Sequence, residues 1–320
     1  MPVKLKSCVR KGWTPSLTQF RAHPILSPVL GLEGYYEPAS TDEALDILRQ
    51  GSGNYKPFAG GTDVMINLRR RTVTYKGLVN IKRLPGITSW SNKAGEGLHI
   101  GAATPFGDLE SSPSVTQRYS ALAESIRVIG SVQLRNMATI GGNLCNASPA
   151  ADSAPALIVS KATITFTGNG EGTRSCLVEQ FFRGPGRSIL DSDGLLLSLD
   201  IPEPEPKSGD CFQRFTPRGA LDIGIASAAS RVTLDQSSGR VLEAVIALGA
   251  VAPTPVRAVK AEEALVGHEP TSDLMAQAAK IAKEECNPIS DIRGSASYRQ
   301  ALVVVLVRRT LEQAVERAQK

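Results

Sequence analysis

Two segments rich in small residues set the tightest limits on this chain: Phe58-Ala-Gly-Gly-Thr-Asp-Val-Met65 and Ala138-Thr-Ile-Gly-Gly-Asn-Leu-Cys-Asn-Ala-Ser-Pro-Ala-Ala-Asp152. Glycine admits positive φ and lets another group approach the main chain closely. Either segment can therefore turn a run of backbone N–H groups toward an anion. One alone is read equally well as a tight turn. Two in one domain point to a pair of loops closing on a dinucleotide diphosphate.

The first segment falls between a short strand ending at Phe58-Ala59 and a helix over Val64–Arg70. A helix N-terminus there adds free N–H groups and the positive end of the dipole. Ala59, Gly60, Gly61, Thr62 and Val64 supply main chain to this turn, and Asp63 either caps the helix or accepts a hydrogen bond from a ligand. The pattern is neither Gly-x-Gly-x-x-Gly nor Gly-x-x-x-x-Gly-Lys-[Ser/Thr], so no Rossmann or P-loop reading stands. In the second segment Thr139, Ile140, Gly142 and Asn143 offer amides and two small polar side chains, and Ser148 and Asp152 extend the small, polar run. Ile140, Leu144 and Ala156-Leu-Ile-Val159 bracket it with apolar residues, which argues against a surface Ω-loop.

Other chemistries find little support. His23, His99 and His268 are scattered, and no Ser/His/Asp order in an activating context emerges. Glu203 and Glu205 lie among prolines and read as solvated. The five cysteines form no Cys-x-x-Cys, which argues against a disulfide framework, a zinc site or an iron–sulfur cluster held by this chain alone. Cys145 reads as a small buried filler rather than a redox thiol. With no acid–base constellation in view, a bound cofactor is left to carry the chemistry. The formal charge of +5 is spread along the chain. Its densest cluster, Arg69-Arg70-Arg71, suits the negative end of a helix dipole better than a nucleic-acid patch. No apolar stretch is long enough for a signal peptide or a membrane span, so a cytoplasmic, reduced setting is expected.

Periodicity divides the chain into an extension over 1–32, a β-α-β unit over 33–90, a second unit of strands and turns over 91–206, and an α+β unit over 207–320. Ser40-Thr-Asp-Glu43 is a capping-box pattern. Gly77–Ile81, Leu98–Ala102, Ala162–Phe166 and Leu195–Ile201 read as strands, and Ser120–Ile129 as a helix. Pro202-Glu-Pro-Glu-Pro206 cannot continue inside a sheet and marks the best boundary. Beyond it come two long β-type runs, Ile225–Leu234 and Val241–Val251, and helices near 259–266, 274–284 and 298–318.

Taken with Leu134-Arg-Asn136, Gly184-Pro-Gly186, Leu195–Pro202 and Thr254-Pro-Val-Arg257, the two glycine segments make six ordered motifs. Together they resemble the FAD-binding (medium) subunits of the molybdenum hydroxylases, the xanthine dehydrogenase, CO dehydrogenase and 4-hydroxybenzoyl-CoA reductase group. The likeness runs from about Gly34 to the C-terminus. It implies an α+β fold with a two-part FAD-binding domain of the vanillyl-alcohol-oxidase type and a C-terminal α+β domain. It implies an oxidoreductase flavoprotein that binds FAD, and non-covalent attachment is expected because no His or Cys other than Cys145 is placed for a flavin bond. The expected partners are a small subunit with two [2Fe-2S] clusters and a large molybdopterin subunit, assembled as a heterotrimer or a dimer of heterotrimers. Ala59 to Asp63 and Thr139 to Asn143 would hold the diphosphate, Ser148 and Asp152 would meet the adenosine or ribityl part, and Leu196 would lie near the adenine. A lysine common near the flavin ring in xanthine dehydrogenases is replaced by Arg214 in Phe212-Gln-Arg-Phe215. The run after Cys145 lacks the cysteines of a [4Fe-4S] insertion, so that extra cluster is not expected. The alternative is a stand-alone FAD-dependent reductase of related fold, and docking onto a partner is the expected role of residues 1–32.

Overall fold

A computed structural model describes residues 31–168, 170–219 and 221–320. Residues 1–30 of the expected N-terminal extension, with Cys8 and His23, lie outside the described residues. The first unit is a parallel sheet of β1 (Gly34–Tyr36), β2 (Tyr55–Phe58) and β3 (Gly77–Asn80) in the order β1-β3-β2. Helix α1 (Thr41–Gly51) connects β1 to β2, and α2 (Val64–Arg69) connects β2 to β3. Ser40 Oγ accepts the Glu43 N–H at 3.2 Å and starts α1. The return bond of this box goes from the Ala39 N–H to Glu43 Oε2 at 2.8 Å, one residue earlier than the ideal pattern. Ala44, Leu45 and Leu48 fall on one side of α1 and join the main core. Leu32, Leu68 and Leu78 form a separate small cluster.

The second unit carries an antiparallel sheet ordered β4-β5-β10-β6-β7. Its strands are β4 (Trp90–Lys93), β5 (Gly97–Gly101), β6 (Thr163–Thr167), β7 (Thr173–Leu177) and β10 (Leu195–Ile201); β8 (Phe182–Gly184) and β9 (Arg187–Ser188) form a small hairpin of their own. Six helices run between β5 and β6: α3 (Phe106–Glu110), α4 (Pro113–Arg118), α5 (Ser120–Arg127), α6 (Val132–Arg135), α7 (Ile140–Asn146) and α8 (Ser153–Val159). Buried Phe106, Tyr119, Leu122, Ile126, Ile140 and Leu144 tie them into one core. At about 1.5–3 kcal/mol per large apolar side chain, that burial is what makes such short helices stable.

The third unit is a sheet of β11 (Ser208–Phe215), β12 (Ala226–Leu234), β13 (Val241–Gly249) and β14 (Val256–Arg257), all antiparallel. Helices α9 (Val259–Glu263), α10 (Ser272–Glu284) and α11 (Ala296–Gln319) follow. Even-numbered Ala226, Ala228, Val232 and Leu234 of β12 belong to a core shared with α10 and α11. Odd-numbered Ala229 joins the core of the second unit instead. Both faces of β12 are covered, so all nine of its residues are buried. This double burial docks the third unit against α5 and α8.

Candidate FAD site

The turn after β2 is built for close approach. Gly61 has φ +71°, and a Cβ there would lie 2.5 Å from the Phe58 ring. A Cβ on Gly60 would fall 2.0 Å from the Met137 carbonyl oxygen, so the first turn rests directly on the backbone that leads into the second segment. Only glycine fits this junction. The main-chain N–H groups of Ala59, Gly60, Gly61, Thr62 and Asp63 make no hydrogen bond among the described residues. Helix α2 begins just beyond them, with Met65 N–H donating to Gly61 O at 3.0 Å. Five consecutive unpartnered donors at a helix start form a nest for an anion. Asp63 stands at the N-terminal boundary of α2 but forms no side-chain cap, which corrects the capping role read from sequence; it is already in αR backbone. Desolvation raises its carboxyl above the usual carboxylate range.

The second segment is not a loop. Thr139 N-caps α7, its Oγ1 accepting the Gly142 N–H at 3.1 Å, and both glycines lie within the helix. Its amides are largely spent: Ile140 donates to Thr104 O at 3.2 Å, Gly141 to Ala102 O at 2.9 Å, and Asn143 to Thr139 O at 3.0 Å. Gly141 is required by packing rather than by φ, since a Cβ would lie 2.5 Å from the Ala102 carbonyl oxygen. This unit therefore offers side chains more than main chain. Asn143 Oδ1 accepts from Ser153 Oγ at 2.7 Å, which leaves its amide nitrogen as the outward donor. Ser148 Oγ accepts the Ala150 N–H at 3.3 Å and keeps its own proton to give.

Asp152 and Arg214 meet across the two domains. They form an ion pair in which Arg214 Nη1 donates to Asp152 Oδ2, with both side chains more than nine-tenths buried. Burial lifts the Asp152 carboxyl to about 6, and the guanidinium opposes part of that rise. Oδ1 accepts no hydrogen bond among the described residues and remains available to a ligand hydroxyl. The neighbouring Ala250 N–H donates to Pro149 O at 2.7 Å, and the Gly186 N–H to Ala147 O at 2.9 Å, so Gly184-Pro-Gly186 and the third unit both brace the 147–152 turn. Leu196 is 3% exposed on β10, at a register shift in its pairing with β6, and β10 packs on α7. The first turn thus rests on the backbone leading into Thr139, Asn143 bonds Ser153 next to Asp152, and Asp152 pairs with Arg214, while Leu196 is buried in the main core.

Other residues take structural roles. Burial pushes the Cys145 thiol up to about 12, in keeping with an inert filler. Glu203 is partly exposed, as its prolines imply, but it also accepts from Arg118 and from the Gly95 N–H, which holds its carboxyl below the usual range. His99 is an exposed residue paired with Asp200 at 2.7 Å. Among the described residues no cluster of His, Cys, Asp and Glu is suited to a metal ion. No helix of the described residues is long and apolar enough to cross a membrane.

Residues 29–204 match the FAD binding domain in molybdopterin dehydrogenase, and residues 212–314 the CO dehydrogenase flavoprotein C-terminal domain. The chain belongs to the FAD-binding subunits of the molybdenum hydroxylases. It is an oxidoreductase flavoprotein of that family. It is 31% identical over 280 residues to the glyceraldehyde dehydrogenase medium chain of Sulfolobus acidocaldarius, covering 87% of this chain and 97% of the relative. It is 29% identical to a putative xanthine dehydrogenase FAD-binding subunit of Escherichia coli, covering 89% and 96%. Among solved structures, a carbon monoxide dehydrogenase chain from Hydrogenophaga pseudoflava matches with a TM-score of 0.83 at 31% identity, covering 88% and 97%. A quinoline 2-oxidoreductase chain from Pseudomonas putida matches at 0.82 and 27%, covering 89% and 98%. The α+β fold with a two-part FAD-binding domain follows from the same matches.

Proposed function

We propose that this flavoprotein passes electrons between an iron–sulfur partner and an external acceptor or donor, while a separate molybdopterin subunit transforms the substrate. The observation that carries the reading is the row of five unpartnered N–H groups at Ala59–Asp63. A diphosphate is the ligand that such a nest and its glycine contacts suit best. FAD, when bound, supplies chemistry that accepts and releases electrons singly or in pairs.

The residues present then have distinct tasks. Ala59 to Asp63 hold the diphosphate with main-chain donors, and α7 forms the fixed wall behind it. Asn143 and Ser148 donate to ligand oxygens, and Asp152 Oδ1 accepts from a ribose or ribityl hydroxyl. Arg214 holds Asp152 in place and keeps a positive charge beside it. A guanidinium at that position favours an anionic ring nearby, with a planar fork rather than a lysine's point charge. The inert Cys145 and the exposed, paired His99 both favour non-covalent attachment.

The named relatives include medium chains and FAD-binding subunits, which supports work in a heterotrimer with small iron–sulfur and large molybdopterin subunits in the cytoplasm. Purification from its source without added cofactor tests this directly. The expected result is a yellow complex that releases a mass matching FAD and contains one clearly smaller and one clearly larger subunit. A colourless chain that takes up no added FAD, or an active flavoprotein of this chain alone, would overturn it.

A further inference from the structure

A crevice lies at the domain junction, where β11 and β12 meet the end of α4, the start of α5 and the end of α11. It encloses about 250 Å³, and Arg118, Tyr119, Asp210, Arg231, Arg317 and Lys320 stand in its wall. None of the residues assigned to FAD lines it. Three of its cations are already matched: Arg118 with Glu203, Arg317 with Glu124 and with the Asp210 carbonyl, and Lys320 with Glu316 at 2.8 Å.

Arg231 is different. It is 6% exposed and makes no side-chain hydrogen bond or ion pair within 4 Å among the described residues. Its cross-strand neighbour in the β11–β12 ladder is Asp210. The Asp210 carboxylate accepts the Ala121 N–H at 3.1 Å and attracts Arg231 through its charge, without forming an ion pair within 4 Å. The Arg231 guanidinium donors open onto the crevice, with no protein acceptor within hydrogen-bond distance.

We propose that this crevice is a second ligand site, which binds the phosphate group of a small metabolite, or free phosphate, through Arg231. The planar fork suits a tetrahedral oxyanion with paired oxygens, and the surrounding arginines supply further donors at its rim. The volume is below the roughly 300–1,000 Å³ of drug-sized pockets, which limits the guest to a small phosphorylated molecule. Because the crevice is walled by both domains, an occupant ties the third unit to the second.

The test uses the FAD-loaded protein in a phosphate-free buffer of fixed ionic strength. Equilibrium dialysis is run with radiolabelled inorganic phosphate, then repeated with a small sugar phosphate as competitor. One equivalent is expected to bind saturably, and the sugar phosphate to displace it. Arg231→Gln is expected to weaken binding about tenfold or more, the loss of one charge-assisted hydrogen bond. Arg70→Gln, which removes an exposed arginine elsewhere, is expected to change nothing. Retained flavin in Arg231→Gln shows that the fold and the FAD site are intact, so this result stands apart from the FAD reading. If Arg231→Gln loses its flavin, Arg231→Lys decides, since it keeps the charge and loses the fork. Failure to saturate, or an affinity unchanged in Arg231→Gln or in that deciding lysine variant, would overturn the assignment. Displacement of phosphate by the sugar phosphate marks a metabolite site, and its absence marks a site for free phosphate.

Discussion

The two glycine segments look alike in sequence and do opposite things in the fold. In the first, glycines leave five main-chain donors without partners, and one takes the left-handed φ that only glycine adopts freely. In the second, the glycines sit inside a helix whose amides are mostly committed, and Gly141 is there because the Ala102 carbonyl allows no side chain. On the proposed reading the first segment binds through its main chain, while the second supports it and offers only side chains. A Gly-Gly pair is therefore ambiguous between exposing backbone and packing it, and the hydrogen-bond partners of its N–H groups decide which.

This contrast can be broken from either end. The largest effect is expected from Gly60→Ala, whose Cβ would overlap the Met137 carbonyl oxygen at 2.0 Å. FAD affinity should fall about a thousandfold, ~4 kcal/mol, in a fluorescence titration. Secondary structure followed by circular dichroism should stay close to the parent's.

Arg214→Gln comes next, because it leaves a buried carboxylate without its countercharge. Its cost is set near ~3 kcal/mol at neutral or higher pH, read from denaturant midpoints. The Asp152 carboxyl already stands at about 6 in the fold, above its ordinary 3.8. A group so raised adds stability that is fully present below the unfolded value and is lost as pH rises through 6. Without Arg214 its folded value climbs further, so the variant should lose stability over a higher pH window than the parent. Asp210, also lifted to about 6 by burial, adds a background of the same sign to both proteins.

Gly141→Ala should cost about 1–3 kcal/mol of stability, the penalty of overpacking, and affect FAD only as far as it loosens α7. The smallest effect is expected from Thr139→Ala, which removes one N-cap bond worth about 1 kcal/mol. Its signature is a lower melting temperature with FAD affinity nearly intact. A large loss of FAD binding in either variant would show that the second segment binds through its main chain as well as supporting.

Much of the fold was legible because local pattern and tertiary role agree. The capping residues Ser40 and Glu43, the apolar face of α1 and the run Leu195–Ile201 each announce an element that the structure contains. Helix α7 was not legible. Two glycines cost about 1 kcal/mol each in helix propensity, and tertiary packing overrides that cost. Strand β11 was missed because Asp210, Gln213 and Arg214 break the apolar pattern, yet its ladder with β12 is continuous over eight residues. The residues of the first turn were readable from glycine chemistry alone. The Asp152–Arg214 pair was not readable as a pair, since its members are 62 positions apart and meet only when the third unit docks. The pairing of Glu203 with Arg118, 85 positions away, was unreadable for the same reason.

Hydrogen–deuterium exchange of the chain with and without FAD tests the central contrast most directly. The amides of Ala59–Asp63 should exchange fast in the free protein and become protected when FAD binds, while those of Ile140–Asn143 are protected in both states. Unchanged fast exchange at Ala59–Asp63 in the loaded protein, or ligand-dependent protection confined to Ile140–Asn143, would contradict the account.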